Sequence, residues 1–182
     1  MQSSSNSPQT YAASQKWLHW LVAAVVLCML PVGFVMIRLP DGFVQGLFFD
    51  LHRSFGLVVL ALAILRLAVR VARGAPPPYA GLSGFERIAS IAAHHLLYVL
   101  IFLMPLLGWA AESAFGGSWS FFGLFDTPHI LPTNRPLSDT LSRLHDWTAL
   151  VLAAVLVAHV GGALMHAVIK RDGVLARMLP GG

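Results

Sequence analysis

Four long apolar runs, separated by short polar or Pro/Gly-rich stretches, constrain this chain more than any other feature. They cover residues 17–37 (WLHWLVAAVVLCMLPVGFVMI), 52–71 (HRSFGLVVLALAILRLAVRV), 91–111 (IAAHHLLYVLIFLMPLLGWAA) and 146–169 (DWTALVLAAVLVAHVGGALMHAVI). Each is long enough to cross a hydrocarbon core of about 30 Å at about 1.5 Å per residue. Only 11% of the 182 residues are charged and 57% are hydrophobic. A soluble domain averages about 25% charged, so lipid is the solvent. The expected fold is all-α: an integral membrane four-helix bundle.

Residues 1–15 (MQSSSNSPQTYAASQ) read as a flexible polar tail, and 16–182 as one transmembrane domain. The tail lacks the basic start of a signal peptide, and the first apolar run is too long for one. Residues 38–51 are expected as a short loop, 72–88 as a Pro/Gly-rich turn region and 112–144 as the longest loop. Pro31 and Pro105 are expected to kink the first and third spans, which packed neighbours tolerate.

Charge orients the bundle. Lys16, Arg70, Arg73, Arg87, Lys170, Arg171 and Arg177, with Glu86 and Asp172, fall at one end. Arg38, Arg53, Arg135 and Arg143 face Asp41, Asp50, Glu112, Asp126, Asp139 and Asp146 at the other. The positive-inside bias places both termini and the Pro-rich loop in the cytoplasm. Arg66, near the cytoplasmic end of its span, is expected to snorkel. The net charge of +4 is thus accounted for by membrane anchoring, which sets nucleic acid aside. Cys28 is the only cysteine, which excludes a disulfide framework and a zinc or iron–sulfur cluster within the chain, and the lack of a C-x-x-C-H excludes covalent c-type haem attachment.

Histidines carry the chemistry. Of eight, seven (His19, His52, His94, His95, His145, His159 and His166) lie in or at the edge of a span, and His129 lies in a loop. One or two would be ordinary interfacial or helix–helix hydrogen bonders. Seven ionisable side chains at such depths point to function. His145 and His159 are 14 residues apart, close to four helical turns, so they share a face with an axial separation of about 21 Å. That spacing suits two haems, one near each membrane surface; a single compact metal site needs closer ligands such as i and i+4. Depth then pairs His19 with His159 at the cytoplasmic end and His52 with His145 at the periplasmic end. Bis-His iron is six-coordinate and suited to electron transfer. Gly56, Gly161 and Gly162 offer shallow helix faces beside these histidines. Trp17, Trp20, Trp109 and Trp147 read as interfacial belt anchors.

The chain resembles the bacterial cytochrome b561 family, related to the cytochrome b subunits of nickel–iron hydrogenases. The resemblance runs from about residue 17 to 180. Its carriers are K-W-L-H-W with His19, L-H-R-S-F-G with His52, A-H-H-L-L-Y followed by M-P-L-L-G-W with His94, L-H-D-W through A-H with His145 and His159, and the tail K-R-D-G-V-L-A-R-M-L-P. The resemblance implies a di-haem bundle with His19, His52, His145 and His159 as axial ligands, and quinone chemistry. No side chain is expected to be catalytic in itself. A subgroup of the family looks like superoxide oxidases, which pass an electron from periplasmic superoxide to ubiquinone. Arg53, Arg135 and Arg143 would then draw in the anion, or anchor loops. His166 would hydrogen-bond a quinone carbonyl or relay a proton to it. His94 or His95 would assist the quinone or bond a haem propionate.

The function expected is electron transfer from a periplasmic donor to ubiquinone. The alternative is an electron-conduit subunit serving a separate dehydrogenase or hydrogenase. A haem-free transporter fits less well with acid-poor spans and histidines at paired depths. Partners expected are the bilayer, a quinone, a small-molecule or protein donor, and a second copy of the chain in a homodimer.

Overall fold

The computed structural model describes residues 10–180. Four helices, α1 (Ala13–Met36), α2 (Phe43–Arg73), α3 (Gly84–Phe115) and α4 (Arg135–Leu164), form the bundle. All four are long and apolar enough to cross a membrane, the last counted with its extension to Lys170. A small antiparallel hairpin, β1 (Ser120–Phe121) and β2 (Phe125–Asp126), pairs Ser120 with Asp126 and Phe121 with Phe125 between α3 and α4. A π-helical turn (Met165–Lys170) and a 3-10 turn (Leu175–Met178) end the chain. The bundle therefore has a hairpin end and a terminal end.

The helices run well past the apolar stretches. Most of 38–51, expected as a loop, is the first part of α2, and the long loop shrinks to 116–134. Helix α1 starts at Ala13, inside the expected tail; residues 1–9 of that tail lie outside the described residues. Hydropathy marks the lipid-embedded length of a helix, while capping marks its ends. Ser83 caps α3: its hydroxyl accepts the Glu86 amide at 3.3 Å and Glu86 accepts the Ser83 amide at 3.0 Å, a reciprocal capping box. Asn134 caps α4 by accepting the Leu137 amide at 3.1 Å, with Pro136 in the first turn, where its missing N–H costs nothing. Gly74 and Gly116 close α2 and α3 with φ of 69° and 81°, the left-handed region open to glycine. Pro31 and Pro105 both lie inside continuous helices.

Helix α3 packs on α4 and α2, and α1 on α2. The bundle centre is one apolar layer to which every helix contributes: Val22 and Val26, Val59, Leu97 and Leu100, and Leu152. Outward faces carry exposed Phe43, Val71, Val157 and Ile169. In lipid such a surface is stable because every backbone polar group of a helix is satisfied internally.

Candidate functional site

The apolar layer separates two histidine pairs. At the hairpin end, His52 of α2 and His145 of α4 stand with ring centres 6.2 Å apart and planes at 77°. At the terminal end, His19 of α1 and His159 of α4 stand 6.3 Å apart at 74°. The structure thus brings together both pairs expected from depth.

A metal–imidazole bond of about 2.0–2.1 Å, with about 1.1 Å from nitrogen to ring centre, puts two trans imidazoles about 6.2–6.4 Å apart. Both pairs meet that spacing. His94 lies 5.1 Å from His159, too close for a trans pair, so it stands beside the His19–His159 axis. Among the described residues no three metal-binding side chains converge on one point. Two facing imidazoles suit a macrocycle that brings its own in-plane donors. Two of the four rings, His19 and His52, have a buried Nδ1 without a hydrogen-bond partner among the described residues, and a buried polar atom of that kind calls for an explanation, of which a bound group is one.

Local packing sets each ring. The Nδ1–H of His145 donates to the Met104 carbonyl at 3.0 Å, one residue before Pro105. Gly33 and Gly108 make room for the hairpin-end rings. A Cβ at 33 would meet His52 Cε1 at 3.1 Å, and one at 108 would meet His145 Cε1 at 3.3 Å. Sequence reasoning missed both, although Gly108 stands in the M-P-L-L-G-W motif. A Cβ on Gly56, Gly161 or Gly162 would meet nothing within 4 Å. Gly56 still borders a cavity of about 330 Å³ lined by both hairpin-end imidazoles, Arg53, Gly108 and Glu112. That volume falls in the range of roughly 300–1,000 Å³ usual for ligand and cofactor sites.

The hairpin covers this end. Phe122 and Gly123 both have positive φ, 48° and 74°. The Phe122 backbone, costly for a bulky residue, is held by its amide donating to the buried Ser54 hydroxyl at 3.1 Å and by its ring against Phe55. Arg53 does not stand free: it pairs with Asp50 at 3.2 Å and Glu112 at 3.0 Å. The Arg135 guanidinium lies over the Phe115 ring at 3.6 Å, and Arg143 donates to Thr140 at 3.4 Å. Trp109 donates to the Pro128 carbonyl at 3.0 Å, so it ties the loop to α3 as well as facing the interface. His129 donates to the Ser113 carbonyl at 3.3 Å.

At the terminal end, His94 donates to the Ser90 carbonyl at 2.6 Å. His95 donates to the Ile91 carbonyl at 2.8 Å and its ring is exposed, so the two neighbours part company. His166 sits buried in the π-helical turn and donates from Nδ1 to Asp172 at 2.5 Å. Among the described residues it makes no ring contact with His159 or His94. Partial burial works to raise the Asp172 pKa, but hydrogen bonds from His166 and the Val174 amide outweigh it and hold this carboxyl below its ordinary value. The C-terminal segment is strapped down by Trp20, which donates to the Met178 carbonyl at 2.8 Å, and by Arg177, which donates to the Pro77 carbonyl at 2.8 Å. Trp17 and Trp147 remain exposed. Arg66, expected to reach the interface, turns to α3 and lies over the Tyr98 ring.

Comparison with known proteins identifies the family. The prokaryotic cytochrome b561 family matches residues 10–181. "Cytochrome b561 homolog 2" of Escherichia coli (strain K12) is 33% identical over 176 residues, covering 96% of this chain and 93% of the relative. "Probable superoxide oxidase CybB" of Yersinia pestis is 30% identical over 178 residues, covering 93% and 96%. "Cytochrome b562" of Cereibacter sphaeroides is 30% identical over 174 residues, covering 93% and 94%. With four membrane-spanning helices and a family match along nearly its whole length, the chain belongs to the prokaryotic cytochrome b561 family, membrane electron-transfer proteins that carry haem b.

Proposed function

We propose that this chain holds two haems b and carries electrons from a periplasmic donor to ubiquinone near the cytoplasmic membrane surface. The observation that supports this reading is the presence of two imidazole pairs, 6.2 and 6.3 Å apart, at opposite ends of one apolar bundle. His52 and His145 would hold the haem at the hairpin end, taken as periplasmic. His19 and His159 would hold the other at the terminal end, taken as cytoplasmic. Haem b supplies one-electron chemistry at each position.

The chain's own residues do the rest. His19, His52, His145 and His159 would hold the two haems in pairs, and with both imidazoles of a pair engaged small ligands would be kept from the iron. Gly33 and Gly108 seat two of the rings. The hairpin shields the periplasmic pair. His94, beside the His19–His159 axis, and His166, whose Nδ1–H is already given to Asp172, are the groups offered to a quinone at the cytoplasmic end. His166 would meet it through Nε2.

Superoxide is the donor suggested by the name of the Yersinia pestis relative. Arg53 would attract that anion only weakly, because Asp50 and Glu112 take up its charge. A separate redox partner is the second reading, and this neutralised mouth is the observation that favours it.

The test is a reduced-minus-oxidised visible spectrum of the detergent-solubilised protein, with haem measured per chain, followed by quinone reduction by the protein alone under a superoxide flux. Two low-spin haems per chain and superoxide-driven quinone reduction are expected. Two haems without such turnover would favour the conduit. A single high-spin haem would overturn the two-haem assignment.

A further inference from the structure

Arg66 is an intramembrane cation in search of an anion. It lies seven residues before Arg73, where α2 ends, so it sits about 10 Å inside the helix. A guanidinium at such depth is costly and persists only with partners. It offers five N–H donors. One, Nε–H, donates to the Tyr98 hydroxyl at 3.3 Å, and the Tyr98 ring lies 5.5 Å from the guanidinium carbon.

No carboxylate pairs with Arg66 among the described residues. The two acids of this end are committed elsewhere: Glu86 to Ser83 and Lys170, Asp172 to His166 and Val174. Tyr98 stands one turn after His94 on α3, so its partner guanidinium is held at the level of the histidine cluster.

We propose that Arg66, braced by Tyr98, is the anion clamp of the cytoplasmic haem site and holds a haem propionate carboxylate. This deepens the two-haem reading and rests on it. A guanidinium fork matches a carboxylate in two parallel hydrogen bonds. A lipid phosphate offers the same oxygen chemistry, but a side chain reaching for headgroups turns outward along the helix, and this one turns inward to α3. A fixed positive charge beside the haem favours its reduced form.

The experiment is a potentiometric titration of wild type, Arg66→Met, Arg66→Lys and Tyr98→Phe, with haem counted per chain. In Arg66→Met, one of the two midpoint potentials should fall by about 59 mV or more, a tenfold loss in the one-electron reduction constant, while the other stays in place. Arg66→Lys keeps the charge and loses the fork, so the same haem should move less; Tyr98→Phe should move it in the same direction. If Arg66→Met does not assemble, Arg66→Lys and Tyr98→Phe carry the test. Two retained haems with unmoved potentials would remove the haem carboxylate as the partner, leave a lipid headgroup as the anion to be sought, and overturn the proposal alone. Equal movement of both potentials would also overturn it, as a general disturbance. A wild-type protein with fewer than two haems would overturn the two-haem reading together with it.

Discussion

His52 and His145 face each other across the hairpin end with ring centres 6.2 Å apart, while the pair at the opposite end shares only helix α4 with them. The two sites are therefore separable. Replacing His145 by Ala should remove one haem of two and leave the spectrum and potential of the other intact. Haem content per chain and a redox titration of the variant check this. Loss of both haems would mean that the sites assemble as one unit.

The clearance at Gly33 and Gly108 is a demand on the same site. An added Cβ would sit 3.1 Å from His52 at one position and 3.3 Å from His145 at the other. Gly→Ala should be mild, since the ring need give only a few tenths of an ångström. Gly33→Val and Gly108→Val should each cost more than half the haem of the hairpin end and none of the haem between His19 and His159. Absorbance of the two components after purification reads this directly.

Ser54 is buried and its hydroxyl is the acceptor for the Phe122 amide. Ser54→Ala leaves that N–H without its partner, at a cost of about 1–3 kcal/mol. The loss should appear as faster proteolysis of the 116–134 loop and a lower midpoint in chemical unfolding, with both haems still bound.

Asp172 supplies a pH dependence of defined sign. Its folded pKa is below the ordinary value of 3.8. The unfolded segment therefore binds its proton first as pH falls. The contribution to holding the C-terminal strap is complete above 3.8 and is lost as pH drops through the depressed folded value. Amide hydrogen exchange of residues 172–179 should rise over that window in wild type. In Asp172→Asn it should be raised at neutral pH already and show no such step.

Much of this was legible in the sequence because the relevant periods are local. The apolar runs are set by bilayer thickness, and the spacing of His145 and His159 by helix pitch, so spans and pairings both follow from one chain read along its length. The helix ends were misplaced because α4 begins in polar turns ahead of its apolar run, and because the start of α2, FVQGLFFD, follows directly on the Pro/Gly turn at 40–42 and is separated from its apolar run by Asp50. The true starts of α3 and α4 are written in the side chains of Ser83, Glu86 and Asn134, which cap them and lie outside the apolar runs. Gly33 and Gly108 escaped because the space they provide belongs to a ring on another helix. The fate of Arg53 depended on Glu112, 59 residues away, and that of Arg66 on Tyr98, 32 residues away. No local pattern reports such pairings. The π-helical turn that carries His166 inserts itself where a regular helix was assumed.

The apolar layer of Val22, Val26, Val59, Leu97, Leu100 and Leu152 has an energetic consequence. It contains no group that can hand on a proton or solvate an ion, so a charge entering at one end crosses without a compensating ion. Moving one elementary charge through a full membrane is worth about 2.3 kcal/mol per 100 mV. Electrons travelling inward in the proposed direction climb an inside-negative voltage, and turnover in sealed vesicles should slow as that voltage builds and recover when an ionophore collapses it.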